Sequence, residues 1–311
     1  MDSPVPDDHS PDPAPFSEAE AQQVRTLWGG LGLPGLIDVH THFMPRPVMD
    51  KVWAYFDSAG PLIGREWPIT YRADEDVRVA ALQAFGVRAY SSLVYPHKPD
   101  MAEWLNGWAA DFAAHHPDCL HTATFYPEES ATAYVSQSIQ RGARVFKCHI
   151  QVGAFSPLEP LLDGVWSQIA DAQVPVIIHC GSGPAPGKYT GPEPIAALLE
   201  RFPSLPLIVA HMGMPEYAEF LALAERFENV RLDTTMSFTD FSEDGAPFPA
   251  RLRPQLAELG RKILFGSDFP NIPYPYTHAL DAVARLDLGD DWLRRVLYTN
   301  AAELFGVAPS V

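Results

Sequence analysis

The chain is poor in cysteine, in positive charge and in long apolar runs, and each shortage excludes something. Its 311 residues include three cysteines, Cys119, Cys148 and Cys180, an odd number without CxxC spacing, which argues against a disulfide framework or a structural zinc ribbon. Lysine and arginine number 22 against 39 acidic residues, a net charge of −17 with no basic run, so phosphate backbones and anionic membrane surfaces are repelled. No nucleic-acid partner is expected. No stretch approaches the about 20 apolar residues of a membrane span, and the opening MDSPVPDDHS has neither the positive nor the apolar segment of a secretory signal. A cytoplasmic protein without membrane association is the expectation. A GxSxG nucleophile elbow and a Walker sequence are also missing, which sets aside two common enzyme classes.

What is present is unevenly spread. Asp2, Asp7, Asp8, Asp12, Glu18 and Glu20 fall within the first 20 residues, together with five prolines and no lysine or arginine. Such a segment cannot bury enough apolar surface to offset its ordering entropy, so residues 1–16 read as a disordered acidic tail and residues 17–311 as one domain. Ser17-Glu18-Ala19-Glu20 matches a capping box, predicting a helix from there to about Trp28 that Gly29, Gly30 and Gly32 stop.

Beyond it, eight short apolar runs of strand length alternate with helical patterns: 36–39, 87–94, 120–125, 143–148, 174–178, 205–210, 230–233 and 262–265. Near-continuous apolar strands separated by helices call for a parallel sheet covered on both faces, and closure into an α/β (β/α)8 TIM barrel is the economical solution. The longest interval, between the first two strands, predicts an inserted lid at 43–72 over the C-terminal mouth, where barrel active sites lie. Trp53, Tyr55, Phe56 and Trp67 would cover the site or another subunit.

The chemistry sits at strand ends. His40 and His42 in LIDVHTH are two apart on a strand, so both imidazoles project from one face and can chelate a divalent metal. His179 ends the fifth predicted strand, His211 the sixth and Asp268 the eighth, and in a barrel these ends converge. Ionisable groups at the ends of buried apolar strands would be costly as packing, which favours a metal site. Lys147 ends the fourth strand and His149 shares its face. Cys148 and Cys180 alternate away from that face, as core thiols. His115, His116 and His121 belong to the opposite rim and read as solvated.

With HTH at 40–42, IIHC through His179, VAHMG at His211 and FGSDFP around Asp268, the chain resembles the metal-dependent amidohydrolase superfamily over about residues 35–306. It is most similar to the amidohydrolase-related branch (amidohydrolase family 2), which includes aminocarboxymuconate semialdehyde decarboxylase and dicarboxylate lactonases. The resemblance implies that His40, His42, His179 and Asp268 hold Zn2+ or another divalent metal. His211 would hold a second metal or act as an acid/base, and Lys147, when carboxylated, would bridge two metals. One or two metals per chain follow. The implied reaction is hydrolysis of a non-peptide C–N bond or a lactone in a small molecule through a zinc-activated water, with Asp268 as base and His211 stabilising the oxyanion. The alternative is a metal-dependent decarboxylase of a small carboxylated, aromatic-derived substrate, and a third reading is an inactive metal-holding barrel acting as a binding subunit. Arg46, His149 and Lys188 are the candidate substrate contacts. A homodimer is the expected assembly.

Overall fold

The computed structural model describes residues 16–308, and within them the apolar runs pair as parallel strands. The predicted acidic tail lies outside the described residues except for Phe16, whose ring packs edge-on against Phe85 at 5.7 Å. The first helix, Glu18–Gly30, starts as its sequence requires, with Ser17 Oγ accepting from the Glu20 backbone N–H. The Glu20 carboxylate does not close the capping box. It turns inward to accept from Tyr71 Oη and from the Tyr276 backbone N–H, pinning the N-terminal helix to the barrel.

The strands are β1 (Leu36–Asp38), β2 (Val87–Ser91), β3 (Cys119–Leu120), β4 (Thr122–Thr124), β5 (Val145–His149), β6 (Val176–His179), β7 (Leu207–Val209), β8 (Val230–Asp233) and β9 (Ile263–Leu264). Neighbours in sequence are neighbours in space, in the orders β1-β2-β3 and β4 to β9, all parallel. The single strand predicted at 120–125 is two pieces here, separated at half-buried His121. Closure comes from the Val39 N–H donating to the Phe265 carbonyl and from a parallel bridge between Thr41 and Phe269. The result is the predicted TIM barrel.

Alternation along the strands divides the apolar residues into two layers. Ile37, Val39, Val145, Ile177, Ile208 and Leu264 face inward and meet Tyr298, Ala301 and Phe305 near the C-terminus, which plug the lower end. Their neighbours face the helices, Cys148 and Cys180 among them as alternation predicted, and all three cysteines are free and buried. With the bottom filled, the barrel's ionisable groups converge at the upper ends of the strands.

The insertion after β1 forms helices Arg46–Ser58 and Gly60–Ile63. Trp53 and Trp67 are buried and both donate to Asn271, through its side-chain oxygen and its carbonyl respectively. Phe56 leans on Trp67 with ring centroids 4.9 Å apart, while Tyr55 is half exposed. Arg65 donates to the Phe241 carbonyl and covers its ring. The insertion therefore bridges the loops that follow β8 and β9. No helix among the described residues is long and apolar enough to cross a membrane.

Candidate metal centre

His40 and His42 follow the end of β1 on either side of Thr41, whose parallel bridge to Phe269 fixes the segment, and both imidazoles enter the same cavity. Each is oriented by its far nitrogen. His40 Nδ1 lies 2.9 Å from Asp233 Oδ2, and His42 Nδ1 lies 2.8 Å from the Leu93 carbonyl. Carbonyls and carboxylates only accept, so both Nδ1 atoms carry the proton and both Nε2 lone pairs face inward. His42 Nε2 then meets Asp268 Oδ1 at 2.9 Å, and His40 Nε2 is 3.6 Å from the same oxygen. Two lone pairs 2.9 Å apart would repel, so His42 Nε2 and Asp268 Oδ1 need a proton or a cation between them, and three converging donor atoms offer a place for a cation. Neighbouring donors around a tetrahedral cation with bonds near 2.1 Å stand about 3.4 Å apart, and the two separations lie on either side of that distance. Among the described residues, His40, His42 and Asp268 form the one group whose ligand atoms all lie within 4.8 Å of one another.

The backbone is bent to achieve this. Asp268 (φ 72°), His211 (φ 56°) and Met212 (φ 54°) occupy the left-handed region that L-residues rarely adopt, a form of strain that concentrates at functional sites. Asp268 is held there by its N–H donating to the His40 carbonyl, and His211 by its N–H donating to Asp233 Oδ1. Beneath them buried Asp38 accepts from the backbone of His40 and Ser267 and from the hydroxyls of Ser267 and Tyr276, tying the ends of β1 and β9 together. Burial pushes the Asp38 carboxyl up to about 7.

Electrostatics follow the same geometry. Burial, helped by the Lys147 charge, pushes His40 down to about 4, and burial lowers His211 to about 4. Asp268 is desolvated too, which raises it, yet its contacts with His42, His211 and His40 hold the carboxyl well below the usual carboxylate range. His40 and His211 are thus held neutral and Asp268 ionised, the protonation states metal binding requires.

His179 and His211 reach the same mouth by a different route. His211 Nδ1 is 3.1 Å from the Thr235 carbonyl, and His179 Nε2 is 3.1 Å from the Gly183 carbonyl. His179 lies outside the three-residue group but its ring meets that of His211 at 4.8 Å, as His211 meets His40 at 5.1 Å. Lys147 is fully buried, its Nζ 3.1 Å from His40 Nε2, and burial lowers it to about 8. His149 is the in-register partner of His179 across β5 and β6, and their rings stack 4.1 Å apart.

Two of the predicted substrate contacts are not brought to the centre. The Arg46 guanidinium lies on the surface, bound to Asp50 and Asp74 four and 28 residues away. Lys188 is exposed with its ammonium over the Tyr189 ring. Both belong to segments whose local charge or aromatic neighbours satisfy them. His121, expected to be solvated, is half-buried in the break between β3 and β4 and lines a polar cavity of about 300 Å³ between helices Ala102–His115 and Ala131–Gln140. Sequence reasoning also missed Asp233 and Tyr95. A signal existed for Asp233, since it ends a predicted strand as Asp268 follows one; Tyr95 follows a predicted strand but carried no spacing cue.

Asp233 accepts from His40 on one oxygen and from the backbone of His211 and Thr235 on the other. An asparagine offers one acceptor and one donor, so Asp233→Asn forces an N–H against an N–H on one side. The expected result is a 10- to 100-fold weaker metal affinity, the usual cost of losing such an outer partner, read by competition with a chromogenic chelator. Unchanged affinity would show that Asp233 does not orient His40.

A family model described as amidohydrolase matches residues 37–307, the whole barrel. Solved structures of similar fold include an uncharacterized TIM-barrel protein from Bordetella bronchiseptica, at 20% identity and TM-score 0.70, covering 88% of this chain and 98% of that one. A 5-carboxyvanillate decarboxylase from Novosphingobium aromaticivorans, solved with manganese, shares 14% identity at TM-score 0.61 over 90% and 99% of the two chains. A probable 2-pyrone-4,6-dicarboxylic acid hydrolase from Acinetobacter baumannii shares 15% at TM-score 0.58 over 88% and 99%. At these identities the likeness is one of fold. No curated protein sequence matches the chain.

Proposed function

The chain belongs to the amidohydrolase family, a family of enzymes, and from that footing we propose that it hydrolyses a non-peptide C–N bond or a lactone in a small molecule with the help of a divalent cation, zinc in the first instance. The observation that carries this reading is the meeting of His42 Nε2, His40 Nε2 and Asp268 Oδ1 in one group, the two nitrogens turned inward by the partners of their Nδ1 atoms. His40, His42 and Asp268 would hold the cation, with His179 closing the set from the end of β6. A cation in that position lowers the pKa of water and polarises a carbonyl oxygen.

The protein's own groups do the rest. Asp268, kept ionised, takes the proton of the attacking water and returns it to the leaving group. His211, fixed by the Thr235 carbonyl and by Asp233, is held as a neutral imidazole whose free Nε2 can take and return a proton as an acid/base. Lys147 Nζ lies against His40 Nε2, and a carboxylated Lys147 with His211 is the arrangement a second metal would require. The insertion over the mouth, anchored by Trp53 and Trp67, excludes bulk water.

A second reading is decarboxylation of a small aromatic-derived carboxylate. It is favoured by the excess of imidazoles and Lys147 over carboxylates at the mouth, and by the fold shared with a 5-carboxyvanillate decarboxylase. One experiment separates the two. Protein stripped by a chelator should lose turnover on a panel of lactones, cyclic amides and aromatic carboxylates, and regain it with zinc or manganese. Incorporation of one oxygen from 18O-water into product supports hydrolysis, and carbon dioxide release without it transfers the assignment to decarboxylation. Full activity in the stripped protein refutes both.

A further inference from the structure

Six rings close a circle around the mouth. His40 meets His42 at 5.2 Å, His42 meets Tyr95 at 5.7 Å, Tyr95 meets His149 at 4.8 Å, His149 stacks on His179 at 4.1 Å, and His179 and His211 complete the circuit to His40. Their hydrogen-bond partners sort the five imidazoles into two kinds. His40, His42 and His211 each give Nδ1–H to an oxygen that can only accept, and His179 gives Nε2–H to the Gly183 carbonyl. In the neutral ring the remaining nitrogen of each is a lone pair.

His149 is of the opposite kind. At the start of the short turn 150–153 its Nδ1 accepts from the Val152 backbone N–H at 3.3 Å. A nitrogen that accepts from an amide carries no proton, so the neutral ring holds its proton on Nε2. Among the described residues no acceptor is paired with that N–H. His179 and Tyr95 pack against the two sides of the ring, and Lys147 lies two residues back on β5. A hydrogen-bond donor flanked by flat rings, on the strand face it shares with the Lys147 ammonium, is a place for an anionic oxygen.

We propose that His149 is a substrate-contact residue whose Nε2–H donates to a carboxylate oxygen of the substrate, and that it takes no part in holding the metal. The face-to-face stack on His179 sets the ring angle, a consequence of their shared register in β5 and β6. Tyr95 closes the other side at an interplanar angle of 51°. This rests on the reading of the mouth as the active site.

The test compares the metal-loaded wild type with His149→Phe, which keeps a stacking ring without the donor, and His149→Gln, which restores an N–H. Isophthalate, a flat dicarboxylate, is the probe. Metal per chain by elemental analysis should be the same in all three proteins. The isophthalate Kd by calorimetry should rise about 10-fold or more in His149→Phe and recover in part in His149→Gln, the range expected for a hydrogen bond to a charged group. Nitrogen-15 NMR of labelled histidine should show His149 protonated at Nε2 and bare at Nδ1. Loss of metal in His149→Phe, an unchanged Kd, no binding of isophthalate to the wild type, or a proton on Nδ1 would each overturn the proposal. A wild type that holds no metal yet shows the stated tautomer would instead indict the catalytic reading.

Discussion

Replacing Asp268 with alanine is expected to lower turnover by about 10³-fold or more and to release the metal, because one carboxylate does two jobs there. Its Oδ1 is 2.9 Å from His42 Nε2 and 3.6 Å from His40 Nε2, so alanine removes the only negatively charged member of the group and the base in one step. The backbone at this position is left-handed and held by a hydrogen bond to the His40 carbonyl, which the substitution leaves in place. Folding should therefore survive, with an unchanged circular dichroism spectrum. Asp268→Asn keeps the shape and one oxygen but not the charge, and should retain part of the metal while losing the base. The measurements are kcat on whichever substrate the panel identifies and metal content per chain. Turnover near wild type with the metal lost would remove Asp268 from the mechanism.

The second large effect is expected at a residue without chemistry of its own. Gly266 lies behind the centre, between Thr235 and His40. A Cβ there would stand 2.2 Å from Thr235 Oγ1, 2.7 Å from His40 Cβ and 3.5 Å from Asp233 Cγ, and real Cβ atoms essentially never approach closer than 3.0 Å. Thr235 and His40 are fully buried, so neither can move aside without displacing the ends of β8 and β1. Gly266→Ala should cost about 1–3 kcal/mol of stability from overpacking and, by pushing His40 off its line, weaken metal binding by at least 10-fold. A thermal melt and a metal titration on the same preparation check it. A variant with wild-type metal affinity would mean that the floor of the site is softer than its packing indicates.

How much of this was legible depends on the range over which each residue acts. His40 and His42 announce themselves because a strand's period of two puts both on one face, and His179, His211 and Asp268 because an ionisable group at the end of an apolar run has no reason to be there as packing. Cys148 and Cys180 were placed correctly by the same alternation. The helix start at Ser17 is local as well, although the Glu20 side chain left its own helix for Tyr71 and Tyr276. Arg46 went the other way: Asp50 on its own helix and Asp74 satisfied it before it could reach the mouth.

The sequence by itself therefore determined the barrel, the rim on which the chemistry sits and most of the side chains that meet there, since these depend on periodicity and on what may be buried. Only the tertiary structure decided which nitrogen of each histidine carries the proton. Asp233 on β8, Leu93 beyond β2, Thr235, Gly183 and the Val152 N–H are the partners that settle it, and the distances that separate them from their histidines in the chain run from three residues to 193. A residue's type specifies that it can bond, but whether an imidazole offers a lone pair or a proton is fixed by the atom opposite its far side, and only folding brings that atom there.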